Sequence, residues 1–436
     1  MTTKLSIPRG TADILPEHIF LWQDLESTAR SIFHAYNYKE MRTPIFEDTA
    51  LFARSVGQTS EIVQKQMLNL ASQKLTEDGN IQLSGLSLRP EGTASVVRSY
   101  IGNHIDKKEK ISKLYYIGPM FRGERPQKGR LRQFHQIGAE VIGPGAGHPY
   151  LDAEVISLCI HILKDFGLSG FKLKINTLGS PSDKQKYADI LKQKFMPYLK
   201  NLPEALQNRY QENIFRILDS KDRQSKEIVQ KVKIDDDYLS KDSREHFDHV
   251  KQALDSLGIE YEHDQRLVRG LDYYTHTVFE IKDDRLGSQD ALGAGGRYNN
   301  LVRQLGGEKR LDIFALGFAL GIERILIAMP KKPSTDGPRV QAYILPMNVG
   351  AFIKAFDLAK DLRTAGVSCD INYSNIAAGM RQQMTMANKS QARFAVIIGE
   401  DELKEKVVSI KNMDTGAQEK IACDDWNTII KKLKEA

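Results

Sequence analysis

Residues LYYIGPMFR (Leu114–Arg122) and FHQIGAEVI (Phe134–Ile142) form two strand-like runs rich in β-branched and aromatic side chains. The segment between them, GERPQKGRLRQ (Gly123–Gln133), contains glycine and proline, which favour turns. Two such runs on either side of a turn predict an antiparallel hairpin. The sequence around this hairpin therefore predicts a protein built on an antiparallel sheet.

The second run of the hairpin carries a polar face. Side chains alternate across a strand, so Gln136, Gly138 and Glu140 share one face and apolar residues share the other. Because Gly138 has no side chain, we predict an open floor between the amide and the carboxylate. A small polar ligand is expected to lie on that floor.

The loop of the hairpin is strongly basic. From Arg122 to His135 the only acidic residue is Glu124, against five basic ones: Arg122, Arg125, Lys128, Arg130 and Arg132. Arginine and lysine side chains in a loop suit the binding of phosphate groups. The same residues also fit a solvated hairpin with a charged tip, and the loop alone does not separate the two interpretations.

The chain before residue 330 predicts an α+β domain, 1–329. Apolar residues at helical spacing predict an amphipathic helix near its start: Trp22, Leu25, Ala29, Ile32, Phe33 and Tyr36. Mostly strands and hairpin-like loops follow, which predicts an antiparallel sheet with flanking helices. A polar stretch with helical character, at about 181–244, predicts a helical insertion in this domain.

A linker and a second domain are predicted after residue 329. Pro330–Pro338 (PKKPSTDGP) is rich in turn-forming residues and predicts the linker. Residues 339–436 alternate between strands and helices, which predicts a C-terminal α/β domain of ordinary size. Its predicted strands are Val340–Leu345, Val367–Ile371, Phe394–Ile398 and Val407–Ile410, and its predicted helices are Ala351–Thr364, Ala377–Asn388 and Trp426–Leu433.

Composition limits the possible classes of protein. The 436 residues are 41% hydrophobic and 27% charged, which is a globular balance and not a disordered one. No apolar run approaches the roughly 18 residues expected of a membrane span, and the N-terminus does not resemble a signal peptide, so we expect a cytoplasmic protein. Cys159, Cys369 and Cys423 are scattered and predict neither disulfides nor a cysteine zinc site. The net charge of +6 is a weak indication of a polyanionic partner.

Two other stretches combine a turn with polar side chains. In Leu86–Thr93 (LSLRPEGT), proline and glycine predict a turn that presents an arginine, Glu91 and Thr93 together. In Leu267–Glu280 (LVRGLDYYTHTVFE), Arg269 precedes two adjacent tyrosines, which suits a polar ligand with an anionic end. An ordinary turn and a structural tyrosine pair are the alternative interpretations.

Two further stretches are rich in glycine. Ala294–Tyr298 (AGGRY) predicts a turn at which the backbone approaches a ligand closely. In Ala315–Ile327 (ALGFALGIERILI), Gly317, Gly321 and Arg324 are spaced to share one face of a predicted helix. The alternative for the second stretch is a buried amphipathic helix with one exposed arginine.

Taken together and in this order, these stretches resemble the histidyl-tRNA synthetases, which are class II aminoacyl-tRNA synthetases. Tyr38–Phe46 (YKEMRTPIF) resembles motif 1, which builds the dimer interface in that family. The hairpin from Phe121 to Glu140 resembles motif 2, and Gly317–Arg324 resembles motif 3. LVRGLDYY and AGGRY resemble the two histidine-specific motifs. The resemblance covers nearly the full chain and implies a homodimer that joins L-histidine to tRNA(His) through a histidyl-adenylate, with release of pyrophosphate from ATP.

The resemblance also implies roles for four arginines. Arg122 would hold the α-phosphate and the histidine carboxylate, and Arg269 would meet the α-phosphate from the opposite side. Arg130 would reach the terminal phosphates of ATP. Arg324 would hold the γ-phosphate and stack on adenine. Arg122, Arg269 and Arg324 are the implied catalytic residues, Mg²⁺ would accompany ATP, and no permanent protein-bound metal is expected.

The remaining implied roles concern histidine and tRNA. The implied histidine-binding residues are Glu91 and Thr93 at the amino group, Glu140 and Tyr274 at the imidazole, and Gln136 and Tyr273 beside them, together with Gly92, Arg122 and Arg269. The basic loop would meet the acceptor end of tRNA through Arg125, Gln127 and Arg132. The C-terminal domain would bind the anticodon.

A second class of function shares this resemblance. Some relatives keep the fold without the chemistry and serve as histidine-sensing regulatory subunits or as accessory subunits of other enzymes. Such relatives tend to lose the ATP-binding arginines or the C-terminal domain. This chain retains Arg122, Arg269 and Arg324 and the whole domain from Arg339 onward, which favours an active enzyme.

Overall fold

The computed structural model describes residues 5–57, 60–75, 81–201, 206–207, 210–211, 213–218, 223–307, 312–329, 339–373 and 379–434. The predicted linker, 330–338, lies outside the described residues. The chain forms two compact units. The larger contains Met1–Leu15 and Leu21–Pro333, and the smaller contains Pro16–Phe20 and Ser334–Ala436.

The strands of the described residues are numbered in chain order. The larger unit contains β1 Lys39–Glu40, β2 Phe46–Asp48, β3 Asn69–Leu75, β4 Ile81–Leu88, β5 Ser112–Phe121, β6 Gln133–Gly143, β7 Lys172–Thr177, β8 Glu262–His263, β9 Thr275–Lys282, β10 Ala291–Arg297 and β11 Phe314–Gly321. The smaller unit contains β12 Ala342–Pro346, β13 Cys369–Ile371, β14 Phe394–Ile398, β15 Val407–Asn412 and β16 Gln418–Ala422.

Helices flank these strands. They are Pro16–Ala35, Thr49–Val56, Thr93–Gly102, Tyr150–Asp165, Pro181–Phe195, Phe215–Leu218, Arg223–Lys231, Lys241–Ser256, Leu301–Gln304, Ile322–Ala328, Val349–Thr364, Met380–Lys389, Glu400–Glu405 and Trp426–Lys434. Across the described residues, no helix combines the length and the apolar character needed to cross a membrane.

The large sheet has eight strands in the order β1-β5-β6-β11-β10-β9-β7-β8. The six central strands pair antiparallel, and β1 and β8 add parallel pairs at the two edges. The predicted amphipathic helix is confirmed as Pro16–Ala35, and it buries one apolar side. Its Phe33 ring stacks on Tyr115 of β5, with ring centres 4.3 Å apart. An α+β unit with a large sheet and flanking helices is therefore present.

The predicted hairpin is confirmed. β5 and β6 pair antiparallel from Ser112↔Ile142 to Phe121↔Gln133. At the start of the loop, Arg122 N donates to the Arg132 carbonyl oxygen at 2.8 Å. The basic segment is thus a closed loop at one end of two central strands.

The prediction of one helix over Ala315–Ile327 was wrong. Phe314–Gly321 is strand β11, paired with β6 and β10, and the helix begins only at Ile322. Residues four apart lie on one face in a helix and also in a strand, so the spacing of the two glycines did not separate the alternatives. Gly317 lies opposite Glu140, and a side chain at Gly317 would collide with that carboxylate.

The prediction of a turn at Ala294–Tyr298 was also wrong. Ala294 to Arg297 belong to strand β10, between β9 and β11. A Cβ atom at Gly295 would lie 2.7 Å from the Phe279 ring on β9 and would collide with the Gly317 carbonyl oxygen. Glycine is needed here because neighbouring strands pack closely, and a turn plays no part.

The smaller unit has a five-stranded sheet in the order β13-β12-β14-β15-β16. β12 pairs parallel with both neighbours, and the remaining pairs are antiparallel. Apolar side chains are buried on both faces, for example Ile344 and Val396 on one and Leu345 and Ile397 on the other. All four strands and three helices predicted for this region are confirmed within a few residues, except that residues 377–378 lie outside the described ones. Strand β16 and helix Glu400–Glu405 were not predicted.

The described residues between Pro181 and Ser256 are mainly helical, and the first and last long helices of this helical stretch meet at one carboxylate. Ser180 and Ser240 cap these helices at their N-termini. The fully buried Asp183 accepts hydrogen bonds from the backbone nitrogens of Ser180 and Ser240, both at 3.0 Å. It also accepts from the hydroxyls of Ser180, Ser240 and Ser243 at 2.9, 3.0 and 2.6 Å. Burial alone would raise the pKa of Asp183, but these bonds outweigh it and lower the pKa to about 2.

Replacing Asp183 by asparagine is expected to destabilise the protein most at neutral pH. The asparagine amide would place an N–H₂ group among five hydrogen-bond donors. An aspartate whose pKa is lowered in the folded protein stabilises the fold at pH values above the pKa of the unfolded chain, which is about 4. That contribution is lost as the pH falls from about 4 toward 2. We expect the Tm of Asp183→Asn to lie several degrees below wild type at pH 7, with the difference narrowing in acid. A difference that stays constant from pH 7 to pH 3 would contradict this.

Candidate active site

One cavity of the larger unit lies over β5, β6, β10 and β11. With its open mouth it encloses about 1030 Å³, which is ample for small-molecule ligands. Nine of the residues predicted to bind ligands line it: Glu91, Thr93, Arg122, Arg130, Gln136, Arg269, Tyr273, Tyr274 and Arg324. They come from separate parts of the chain, and the sheet brings them together.

Arg122 and Arg130 enter the cavity from the hairpin loop. Arg122 Nε donates to the Pro90 carbonyl oxygen at 2.9 Å, and its guanidinium carbon lies 5.1 Å from the centre of the Phe134 ring. Arg130 Nε lies 2.6 Å from the carboxylate of Glu124. Burial lowers the pKa of Arg122, although a guanidinium stays charged in proteins. Both cations are anchored through Nε, so their terminal N–H groups suit a bound anion.

Arg324 reaches the cavity from the helix that follows β11. Its Nε donates to the Gly129 carbonyl oxygen at 2.9 Å, and its Nη1 donates to the Ala291 carbonyl oxygen at 2.8 Å. Burial lowers the pKa of Arg324, and the positive charges of Arg130 and Arg122 lower it further. Three cations close enough to repel one another favour a polyanionic ligand between them.

Arg269 faces the cavity from the segment before β9. Its Nη1 lies 2.5 Å from a carboxylate oxygen of Glu280, whose other oxygen is 3.2 Å from Lys282 Nζ. Burial would raise the pKa of Glu280, but the charges of Arg269 and Lys282 outweigh it and lower the pKa. Glu280 therefore stays ionised and fixes the arginine on the wall of the cavity.

Glu91 and Thr93 lie at the start of helix Thr93–Gly102. The Glu91 carboxylate accepts hydrogen bonds from the backbone nitrogens of Thr93 at 2.7 Å and Ala94 at 2.9 Å. Arg89 does not join them as predicted. It donates to the carbonyl oxygens of Pro119 at 2.9 Å and Thr43 at 3.0 Å, away from the cavity. The turn therefore presents one carboxylate and one hydroxyl to a ligand, and its arginine is structural.

Glu140 is a buried carboxylate that receives two hydroxyl groups. Thr93 Oγ1 donates to it at 2.6 Å, and the Tyr298 hydroxyl donates to its other oxygen. Burial raises the pKa of Glu140 to about 8, and the two hydroxyl donors oppose that rise. Tyr298 also lines the cavity and was not among the predicted site residues, although AGGRY contains it.

The floor at Gly138 is covered, which corrects the prediction of an open floor. The ring of Tyr116, directly across the hairpin, occupies the space that side chains at Gly138 and Gly92 would take. Gly92 therefore makes room for a tyrosine and does not itself line the cavity. Beside this ring, Gln136 Oε1 is buried without a hydrogen-bond partner in the structure. An unpaired buried acceptor on a cavity wall is suited to a ligand that donates a hydrogen bond.

The residues predicted to meet the tRNA acceptor end lie outside this cavity. Arg125 and Gln127 line a separate depression beside it, together with Glu61 and Gln66. Arg132 is turned toward the loop itself, with Nε 3.3 Å from the Glu124 carbonyl oxygen. The loop thus has one face on the cavity and another on the depression.

Comparisons with known proteins identify the family of each unit. Residues 10–325 match a family model described as histidyl-tRNA synthetase, and residues 341–433 match one described as anticodon binding domain. A histidine–tRNA ligase of Desulforamulus reducens is 43% identical over 428 residues, covering 97% of this chain and 98% of the relative.

Solved structures show the same fold. Apo histidyl-tRNA synthetase of S. aureus has a TM-score of 0.78 at 34% identity, covering 99% of this chain and all of that one. A Bacillus halodurans structure titled as an ATP phosphoribosyltransferase regulatory subunit/histidyl-tRNA synthetase has a TM-score of 0.63 at 23% identity, with 92% and 99% covered, and shares the fold alone. The fold is that of a class II aminoacyl-tRNA synthetase. Within that class, this chain belongs to the histidyl-tRNA synthetase family.

Proposed function

We propose that the cavity is the adenylation site of a histidine–tRNA ligase. ATP and L-histidine bind in it together, the histidine carboxylate attacks the α-phosphate, and pyrophosphate leaves. Histidine is then transferred from the adenylate to the 3' end of tRNA(His). The observation that carries this proposal is that Arg122, Arg269 and Arg324 line one cavity with the unpaired oxygen of Gln136.

The charges of the cavity support a division into two halves. Arg130 and Arg324 would take the terminal phosphates of ATP, because they converge from the loop and from the helix after β11. Arg122 and Arg269 would meet the α-phosphate and the histidine carboxylate, where charge develops during the reaction. Glu91 would hold the ammonium group of histidine.

The imidazole of histidine would bind beside the aromatic side chains. Tyr273 and Tyr274 line the cavity, and Glu140 lies behind Thr93 with its carboxylate held by two hydroxyls. A site that pairs with both nitrogens of an imidazole rejects amino acids that lack them, because they leave buried polar groups unpaired. Glu140 would pair with one nitrogen and Tyr274 with the other.

Mg²⁺ would enter with ATP, bound to its phosphates. The described residues contain no group of three His, Cys, Asp or Glu side chains arranged to hold a metal. The carboxylates of Glu124 and Glu280 already pair with Arg130 and Arg269, and that of Glu323 accepts from the His135 backbone nitrogen. A metal carried by the substrate fits these residues better than a metal held by the protein.

The test of this proposal is ATP–pyrophosphate exchange. Purified protein should exchange labelled pyrophosphate into ATP only when histidine is present, and it should charge tRNA(His). A histidine-binding regulatory subunit would bind histidine without exchange. Absence of exchange in a folded protein that binds histidine would therefore overturn the assignment.

The smaller unit would act on tRNA and not on adenylation. We assign 1–329 to the catalytic domain, with an insertion at about 181–244, 330–338 to a linker and 339–436 to an anticodon-binding domain. From Gly337 to Ala436 there are 14 Lys and Arg against 12 Asp and Glu, so general electrostatic attraction is a weak explanation. Stacking and base-edge contacts with unpaired anticodon bases are a better one. The acceptor end would meet Arg125, Gln127 and Arg132.

Truncation near Thr335 is expected to separate the two activities. The shortened protein should retain histidine-dependent ATP–pyrophosphate exchange, because every residue lining the cavity precedes the cut. Aminoacylation should weaken, mainly through a higher KM for tRNA. Both activities are measured on one soluble sample, and sedimentation of that sample tests whether Tyr38–Phe46 supports a homodimer. Aminoacylation at full efficiency would show that this domain does not read the anticodon.

A further inference from the structure

A lysine outside the cavity holds the segment that carries the two tyrosines. Lys184 lies on helix Pro181–Phe195 and is half-buried. Its Nζ donates to the carbonyl oxygens of Asp272 and Tyr274, both at 2.8 Å. The residue between these two carbonyls is Tyr273. One ammonium group therefore clamps the backbone on both sides of a cavity-lining residue.

The same segment is held at Asp272 by two more residues of the helical stretch. Asn213 Nδ2 donates to Asp272 Oδ1 at 2.8 Å, and Arg216 Nη2 lies 3.8 Å from Asp272 Oδ2. A Cβ atom at Gly57 would also collide with the Asp272 carboxylate. The Asp272 carboxylate is thus held by partners from the helical stretch, and Asp272 directly precedes the two tyrosines in the sequence.

The position of Lys184 is itself fixed. Its neighbour Asp183 joins the helix start at Ser180 to the later helix start at Ser240. Burial lowers the pKa of Lys184, and the charge of Asp272 opposes that change. A buried ammonium group is costly unless it is hydrogen-bonded, so the two carbonyls are strongly preferred partners. Lys184, which binds the two carbonyls, is therefore adjacent to Asp183, which fixes the start of its helix.

We propose that Lys184 is a positioning residue for histidine: by joining the carbonyls of Asp272 and Tyr274, it holds Tyr273 and Tyr274 in the amino-acid half of the cavity. The inference rests on the proposed binding of histidine there. It gives the helical stretch a role in shaping the histidine pocket, although none of its described residues between 181 and 256 lines the cavity. A displacement of this segment by an ångström would misplace the substrate, and such errors reduce rates strongly.

The experiment compares Lys184→Met with Lys184→Arg and with the control Lys194→Met. Lys194 lies on the same helix and also donates to a backbone carbonyl, that of Lys233 at 2.8 Å, but it contacts nothing in the tyrosine segment that the structure records. In ATP–pyrophosphate exchange, Lys184→Met should lower kcat/KM for histidine by about 10²-fold. The KM for ATP should hardly change, because Arg130 and Arg324 are held by other elements. Lys184→Arg should restore most of the loss, since a guanidinium can bridge two carbonyls.

A double variant separates positioning from simple destabilisation. Against a Tyr274→Phe background, Lys184→Met should cost clearly less than it costs in the wild type, because both changes act on one tyrosine. Independent, multiplicative effects would overturn the proposal, as would equal increases in both KM values or a Lys184→Met protein with wild-type histidine kinetics. Histidine-dependent exchange by the wild type is measured in the same series, and its absence would instead overturn the proposed function.

Discussion

Arg269→His is expected to slow adenylate formation by about 10²–10³-fold, the usual loss when a group that stabilises transition-state charge is removed. Arg269 lines the cavity, where it would meet charge developing on the α-phosphate. Interactions made mainly in the transition state reduce kcat when they are lost. The fall should therefore appear in single-turnover adenylation at saturating ATP and histidine, with modest changes in either KM.

The fold should tolerate this substitution. Glu280 loses its partner at 2.5 Å but keeps Lys282 at 3.2 Å, so its carboxylate is not left buried and unpaired. We expect the Tm to shift by only a few degrees. Arg285→His is a matched control, because Arg285 pairs with Asp283 directly after strand β9 and does not line the cavity. Normal adenylation by Arg269→His, or loss of activity explained by unfolding, would contradict the role.

Histidine use is expected to depend on pH through Glu140. Its pKa of about 8 means that the Glu140 carboxyl carries a proton in the neutral range, and free imidazole loses its own proton above about pH 6.5. We expect the Glu140 carboxyl and the imidazole of bound histidine to share one proton. Between about pH 6.5 and pH 8, histidine then binds without taking up or releasing a proton. Below about pH 6.5 both groups are protonated before binding, so one proton must be released when histidine binds. Above about pH 8 neither group is protonated, so one proton must be taken up. The kcat/KM for histidine should therefore be bell-shaped, with a plateau between these limits.

Variants of the carboxylate and its donor make this prediction specific. Glu140→Ala should raise the histidine KM by roughly 10–100-fold, the effect of leaving a buried polar partner unpaired. Glu140→Gln should remove the alkaline limb of the profile, because an amide does not titrate there. Tyr298→Phe should move that limb to higher pH, since the Tyr298 hydroxyl lowers the pKa of Glu140. A wild-type histidine KM that continues to fall above pH 9 would contradict a proton shared between Glu140 and the imidazole.

Local sequence patterns predicted secondary structure best where a residue type or a spacing is compatible with only one kind of element. The loop between β5 and β6 was predictable because glycine and proline break regular structure. The first helix was predictable because its buried residues recur at helical spacing. Strand β16 was missed because only Ile421 of its five residues is buried, which leaves no apolar alternation to detect. Its position at the edge of a sheet becomes visible only once β15 is in place.

The glycine patterns indicated positions where a side chain would not fit. They did not show whether the glycines lie on a helix or a strand, or which neighbouring group takes the space. The four-residue spacing of Gly317 and Gly321 suits one face of a helix and equally one face of a strand. The space beside Gly138 looked open because sequence does not reveal that Tyr116 lies across from it. Only the register of β5, β6 and β11 decides which side chain fills each gap.

The sequence by itself determined the antiparallel hairpin, the basic loop, the order of the family motifs and the identities of the arginines and tyrosines, because each depends on residue type and short-range spacing. Tertiary structure decided which of them share a cavity. It placed Tyr298 on Glu140, turned Arg89 away and brought Lys184 to carbonyls nearly ninety residues later in the chain. These relations depend on strand order and on long-range packing. No local pattern encodes them, since each joins groups that are neighbours only after the sheet and its flanking helices have formed.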